Sequence, residues 1–287
     1  MEVDGKRWIL HPSRTDKFLI WNLSDLHIQS RACAEGRLQA DIETIRKDPF
    51  SFWFGGGDYA DFIGYSDKRF DPDVVAPWIS VKDLGRLGQA GMHRVRDIFA
   101  PIKHKCMGLL IGNHEKRYEL KTENDGLHGW LCEELGVRNL EYCAFFDIVF
   151  VRDSAVTGPS LHLSAPRKRG FTSQTFRVFA HHGAGYAQTP GGKLNRLVQF
   201  MMGFDADVYF CGHVHDKLAR PEPAIGADVG CKNLIERVRL GVISGSYLRT
   251  YAQHVTTYGE MAGYRPTNLG AASVEICPET REMSAKV

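Results

Sequence analysis

The run KFLIWNLSDLH, residues 17–27, joins an apolar segment to a polar pair. Its first seven residues predict a buried strand, by length and by composition. The strand stops at Ser24-Asp25, and His27 follows two residues after the aspartate. The same arrangement recurs along the chain as FSFWFGGGD (50–58), CMGLLIGNHE (106–115), TFRVFAHHG (175–183) and VYFCGHVH (208–215). Each is an apolar run that ends in Asp, Asn, His and Gly. In α/β sheets ligands sit outside the carboxyl ends of the strands, so polar groups far apart in sequence converge there.

The five clusters supply carboxylates, an amide and at least five imidazoles: Asp25 and His27, Asp58, Asn113, His114 and Glu115, His181 and His182, His213 and His215. Such a set suits zinc, iron or manganese and is too imidazole-rich for calcium or for magnesium alone. On a strand end, the two ligands of D-x-H or H-x-H would share one side, because side chains repeat every second residue. Alone, each piece reads blandly: D-x-H as a strand-end cap, H-x-H as a packing pair, Gly-Gly-Gly-Asp as a turn. All five in order, each behind an apolar run, make a site. The surplus of ligands, with Asn113, points to two cations rather than the one iron of a two-His, one-carboxylate oxygenase.

The chain has 287 residues, 43% hydrophobic and 24% charged, which suits one large globular domain or one with insertions. Net charge is +2, so no global bias toward nucleic acid or membrane is present, and the basic run Arg167-Lys168-Arg169 reads as a solvated turn. Seven cysteines without a C-x-x-C pair argue against a disulfide framework or a structural zinc site and for a reducing, cytoplasmic setting. The polar N-terminus carries no signal peptide, and no run is long enough to span a membrane. Helices are predicted over 34–48, 78–100, 127–135 (with Gly136 as cap) and 193–203. Further strands are predicted at 145–152, 161–164, 238–243 and 272–277. Residues 61–77 and 217–235 read as turn-rich loops.

The ordered set D-x-H, G-D, G-N-H-E, H and G-H-x-H, from Asp25 to His215, resembles the calcineurin-like metallophosphoesterase superfamily. Ser244-Gly245-Ser246-Tyr247 and Gly263-Tyr264-Arg265-Pro266 resemble, more weakly, its phage and prophage-type members. The resemblance implies an α/β fold, a four-layer αββα sandwich with mixed sheets. It would be one domain over 1–287, with insertions near 61–103 and 217–235 shaping a pocket. Asp25, His27 and His215 would bind one cation; Asn113, His213 and the first His after a strand would bind the second; Asp58 would bridge them. With that strand ending at Ala180, the ligand is His181, and His182 is the alternative or a contact to the substrate phosphate. His114 would be the catalytic acid or would stabilise the transition state.

A hydroxide shared by two divalent cations (Mn, Fe or Zn) would attack phosphorus. The implied activity is hydrolysis of a phosphodiester in a nucleotide or nucleic-acid-like substrate. The alternatives are phosphomonoester hydrolysis and a non-catalytic scaffold, which the complete ligand set argues against. Arg117 could contact substrate phosphate or be a plain surface arginine. Glu115 could orient an imidazole or be a solvated helix-start acid. Tyr59, Asp61 and Tyr186 lie beside motifs as pocket candidates. His11, His93, His104, His128, His162 and His254 match no motif and read as surface or packing residues.

Overall fold

Strands β1 (Glu2–His11), β5 (Cys143–Arg152), β6 (Ser160–His162), β7 (Thr172–His181), β8 (Val208–Cys211), β9 (Leu218–Ala227) and β10 (Leu234–Ile243) form one sheet, in the order β6-β1-β5-β7-β8-β10-β9. The second sheet, β12-β11-β2-β3-β4, comprises β2 (Phe18–Leu23), β3 (Ser51–Gly55), β4 (Cys106–Leu109), β11 (Ala272–Cys277) and β12 (Glu282–Lys286). Both sheets are mixed. β2, β3 and β4 run parallel while β11 is antiparallel to β2; β1 and β5 run parallel, as do β7, β8 and β10, while β5 is antiparallel to β7 and β9 to β10. This computed structural model describes residues 1–64, 67, 70–122, 126–166, 172–228 and 230–287, so the run Arg167-Lys168-Arg169 lies outside the described residues.

Phe18, Ile20, Phe52 and Phe54 of one sheet pack against Phe146, Ile148, Phe176, Val178 and Phe210 of the other. Burying each such side chain contributes about 1.5–3 kcal/mol. Helices α1 (Glu35–Lys47), α3 (Leu87–Phe99) and α5 (Leu127–Leu135) cover the outer face of the smaller sheet, placing Leu38, Ile42, Val95 and Leu131 in one cluster with Trp53. Helix α6 (Pro190–Gly203) covers the other sheet, with Leu197 and Met201 against Phe179 and Tyr209. The layers are therefore helix, sheet, sheet, helix.

Three elements differ from the sequence reading. The helix expected over 78–100 is split into α2 (Val81–Leu84), started by a Ser80–Asp83 capping box, and α3. A break falls at Gly85-Arg86, but Gly88 and Gly91 stay helical because Leu87, Met92, Val95, Ile98 and Phe99 bury one apolar face. The region 217–235 holds the β9–β10 hairpin rather than turns alone. Pro221 and Pro223 are tolerated because β9 is the edge strand, where a missing N–H breaks no further ladder. β1 escapes detection because Gly5, at φ 65°, interrupts it and its register shifts between Val3 and Lys6.

Among the described residues no helix is long and apolar enough to cross a membrane. All seven cysteines are free thiols.

Candidate metal centre

The parallel run of β2, β3 and β4, and that of β7 and β8, bring five loops to one end of the sandwich. The candidate ligands sit in those loops, or at the start of the helix that follows one, and not on the strands. Asp25, His27, Asp58, His213 and His215 all have positive φ (55°, 50°, 54°, 68° and 49°). Left-handed backbone therefore aims these pairs, in place of the strand alternation expected from their spacing. Asp and His are among the residues that adopt it at least cost.

Hydrogen bonds hold this strained backbone. Asp25 N–H donates to the Gly57 carbonyl (2.9 Å) and His27 N–H to that of Asp58 (3.2 Å). The Asp25 carbonyl accepts from Ser246 Oγ and from Tyr247 N–H, each at 2.9 Å. Glu115, 1% exposed, accepts from the N–H groups of Asp58 (3.0 Å), Tyr59 (2.6 Å) and Gly112 (3.0 Å). Glu115 thus orients backbone, not an imidazole. A Cβ at Gly112 would lie 2.1 Å from Asp58 Oδ1, and one at Gly183, at φ 125°, 2.5 Å from His213 Cβ. Only glycine allows these loops to approach so closely.

Three overlapping groups of possible donors result, one of them His27, Asp61 and His114; the other two hold the remaining cluster residues. In the first of these two, Asp25 Oδ1 and His27 Nε2 each lie 3.2 Å from His215 Nε2. In the second, Asp58 Oδ2 lies 3.2 Å from His182 Nε2, with His213 alongside. One amide atom of Asn113 stands 2.7 Å from His213 Nδ1, 3.1 Å from His182 Nε2 and 3.3 Å from Asp58 Oδ2. As a nitrogen it would donate to them; as an oxygen it makes, with those three atoms, a group of four possible donors, the kind of set a divalent cation of the zinc type takes. The residues therefore fit a metal.

His181 and His182 separate here. β7 extends through His181, one residue further than its apolar run suggested, so the first residue after the strand is His182. His182 is fully buried beside Asp58, and its Nδ1 faces the Gly56 carbonyl at 2.7 Å. His181 shares the opposite face with Phe179, stacks on Phe200 at 4.5 Å and accepts from the Gly183 N–H. The preference for His181 is thus corrected by one step of strand register. A His182→Ala variant is expected to lose metal while His181→Ala keeps it, as measured by metal content after dialysis; equal retention in both would contradict the placement.

His114 opens helix α4 (Asn113–Thr122). Its N–H donates to Asp58 Oδ1 (2.9 Å) and its Nδ1 faces the Asp61 carbonyl (2.8 Å). Asp61 also holds His27 Nδ1 at 2.7 Å, an arrangement that fixes which nitrogen of a ligating imidazole faces the metal. Arg117 lines the cavity above, with an exposed side chain. Tyr59 is buried, donating to the Leu110 carbonyl at 2.7 Å, and does not line the cavity. Among the unassigned histidines, His128 is buried and pushed down to about 4 by burial.

Charge in the metal-free site is self-compensated. Burial alone would depress His182, but the Asp58 and Asp25 carboxylates outweigh it and hold it at about 10. His27, likewise opposed by burial, is raised to about 9 by Asp61. Asp58 is held well below its usual value despite burial, chiefly by His182 and His114. Burial, with the Asp58 charge, lifts Glu115 to about 7. Both imidazoles are thus raised above their ordinary 6.5. Their stabilisation of the metal-free fold is complete below that pH and is lost as pH rises through 9–10. Cations must displace the same protons. Metal binding at pH 7.5 is therefore expected to release about two protons per chain, read from calorimetry in buffers of different ionisation enthalpy. Release of none would refute it.

Two mixed sheets stacked between helices, with Asp, Asn and His loops gathered at their shared strand ends, decide the architecture. This layered arrangement is the one that the resemblance to calcineurin-like metallophosphoesterases implies. No protein-family model matches the chain, and no curated protein matches it. Solved structures similar to this chain include an uncharacterised protein from Streptococcus pneumoniae described as a predicted phosphoesterase (11% identity, 91% of this chain, 84% of that one, TM-score 0.31). They include Vps29 from Entamoeba histolytica complexed with zinc (11%, 94% and 97%, 0.37). NAD nucleotidase from Haemophilus influenzae is a third (11%, 96% and 50%, 0.39), of whose length this chain spans half. Likeness at this level says nothing of what this chain acts on.

Proposed function

We propose that this chain is a phosphoesterase that uses two divalent cations to hydrolyse a phosphodiester. The observation carrying the reading is the pair of donor groups meeting at the floor of one cavity beside the His114 imidazole. Asp25, His27 and His215 would hold one cation, Asn113, His182 and His213 the other, and Asp58 would stand between them. Cations so held would supply the positive charge that clamps a phosphoryl group and acidifies water between them.

The chain's own groups do the rest. With Nδ1–H committed to the Asp61 carbonyl, His114 carries a transferable proton on Nε2 only as the imidazolium. That proton would pass to the leaving oxygen. Asp61 keeps His27 from turning, and Glu115 keeps the Asp58 and Gly112 loops together. Val74, Ile79, Leu84 and Leu87 line a 900 Å³ cavity that continues away from the donors. Room on more than one side of the phosphorus supports a diester over a monoester. Every expected ligand position is filled, which supports catalysis over scaffolding.

The test is metal analysis together with hydrolysis of bis-p-nitrophenyl phosphate, p-nitrophenyl phosphate, cyclic nucleotides and single- and double-stranded DNA. Turnover of the diesters with Mn, Fe or Zn is expected. No turnover of any of them with these metals present would sink the reading.

A further inference from the structure

Three tyrosines in the same cavity are left unused by the phosphate chemistry. Tyr186 follows the His181-His182 loop, while Tyr258 and Tyr264 come from the segment that begins at helix α7 (Tyr258–Met261). The Tyr186 and Tyr264 rings lie 5.8 Å apart at 59°, and those of Tyr258 and Tyr264 6.0 Å apart at 86°. Tyr186 is 71% exposed and Tyr258 61%. Gln188 Nε2 donates to the Tyr186 hydroxyl at 2.8 Å. Tyr251 Oη donates to the Tyr264 carbonyl at 2.8 Å. The cluster offers aromatic ring to solvent.

Exposed rings this close, held from two separate segments, are a costly surface unless something covers them. Arg117 and Arg265 line the same cavity, exposed and without an ion pair among the described residues. Flat apolar faces beside guanidinium groups match a base and its flanking phosphate. A net charge of +2 gives no broad basic stripe such as a duplex needs, so the base would be unpaired.

We propose that Tyr186, Tyr258 and Tyr264 form a stacking rim for an unpaired nucleobase, with Arg117 and Arg265 beside its phosphates, so that the diester reaching the donor groups belongs to a nucleotide or a single strand. The inference rests on the phosphodiesterase reading. A cavity of 900 Å³ lies toward the upper end of the size range of small-molecule sites, about 300–1,000 Å³, and accommodates a base together with its diester.

The experiment compares thymidine 5′-(p-nitrophenyl phosphate) with methyl p-nitrophenyl phosphate, which share a leaving group and differ by the nucleoside. The wild-type protein is expected to prefer the thymidine ester through KM. In Tyr264→Ala or Tyr186→Ala, the ratio of the two kcat/KM values is expected to fall roughly tenfold, since one stacked base is lost. Tyr264→Phe, which keeps the ring, is expected to preserve the ratio. A wild-type ratio near one, or a ratio unmoved in both alanine variants, overturns the rim.

Failure of both esters to react sinks the phosphoesterase reading instead. The rim is then judged by calorimetric binding of thymidine monophosphate to wild type and Tyr264→Ala, equal binding overturning it. Where the thymidine ester is hydrolysed, inhibition of that hydrolysis by oligothymidylate below the concentration needed for thymidine monophosphate assigns a strand, and the reverse assigns a free nucleotide. Inhibition by neither overturns the proposal.

Discussion

Asp58→Asn is expected to leave the fold intact and to abolish turnover. Asparagine is isosteric with aspartate, and its Oδ1 still accepts the His114 N–H that Asp58 takes at 2.9 Å. What disappears is the charge. Asp58 Oδ2 lies 3.2 Å from His182 Nε2 and, with Asp25, holds that buried imidazole at about 10. Without the carboxylate, His182 falls toward the lower value that burial favours, and a cation shared at that point loses its anionic ligand. Positive charge at a phosphoryl group is worth several kcal/mol, so the rate is expected to drop by about 10³-fold or more. Metal content should fall from two per chain to one or none, and the melting temperature without metal should fall as well, because the His182 pairing that stabilises that fold at neutral pH is lost. Two bound metals and normal turnover in the variant would end the bridging assignment.

His114→Ala should separate chemistry from metal binding. Its imidazole contacts the Asp61 carbonyl, its ring centroid lies 5.0 Å from that of His27, and it groups with His27 and Asp61 rather than with either proposed cation set. Both metals are expected to stay, and kcat to fall by about 10²–10⁴-fold, as when a positioned general acid is removed. The loss should shrink for a diester whose leaving group needs no proton, such as p-nitrophenolate. Metal loss equal to that of His182→Ala would show that His114 is a ligand after all.

The buried strands were readable because an apolar run bounded by glycine has few alternatives: β2, β3, β4 and β8 each begin and end within two residues of their predicted limits. The edge strands β9 and β12 were not. β9 contains two prolines and β12 (EMSAK) alternates half-buried with exposed positions, so neither carries the continuous apolar signal of a strand covered on both faces. The motif residues announced themselves by type, and the structure brings Asp25, His27, Asp58, Asn113, His213 and His215 together. His182 could not be told from His181 because one residue of strand length exchanges the two faces. Asp61 as the partner of His27, and Ser246 and Tyr247 as supports of Asp25, left no spacing to read, because those contacts join loops that only tertiary packing makes neighbours.

That last support bears on how the site is made. All the metal-donor residues lie between Asp25 and His215, but Ser246 and Tyr247, which grip the Asp25 carbonyl, come later, as does β11, which pairs with β2. A nascent chain that has passed His215 therefore carries every donor without the clamp that keeps the first of them in its left-handed turn. Ribosome-bound intermediates would hold metal loosely or in the wrong place, and faithful loading would wait until the last strands had emerged and docked.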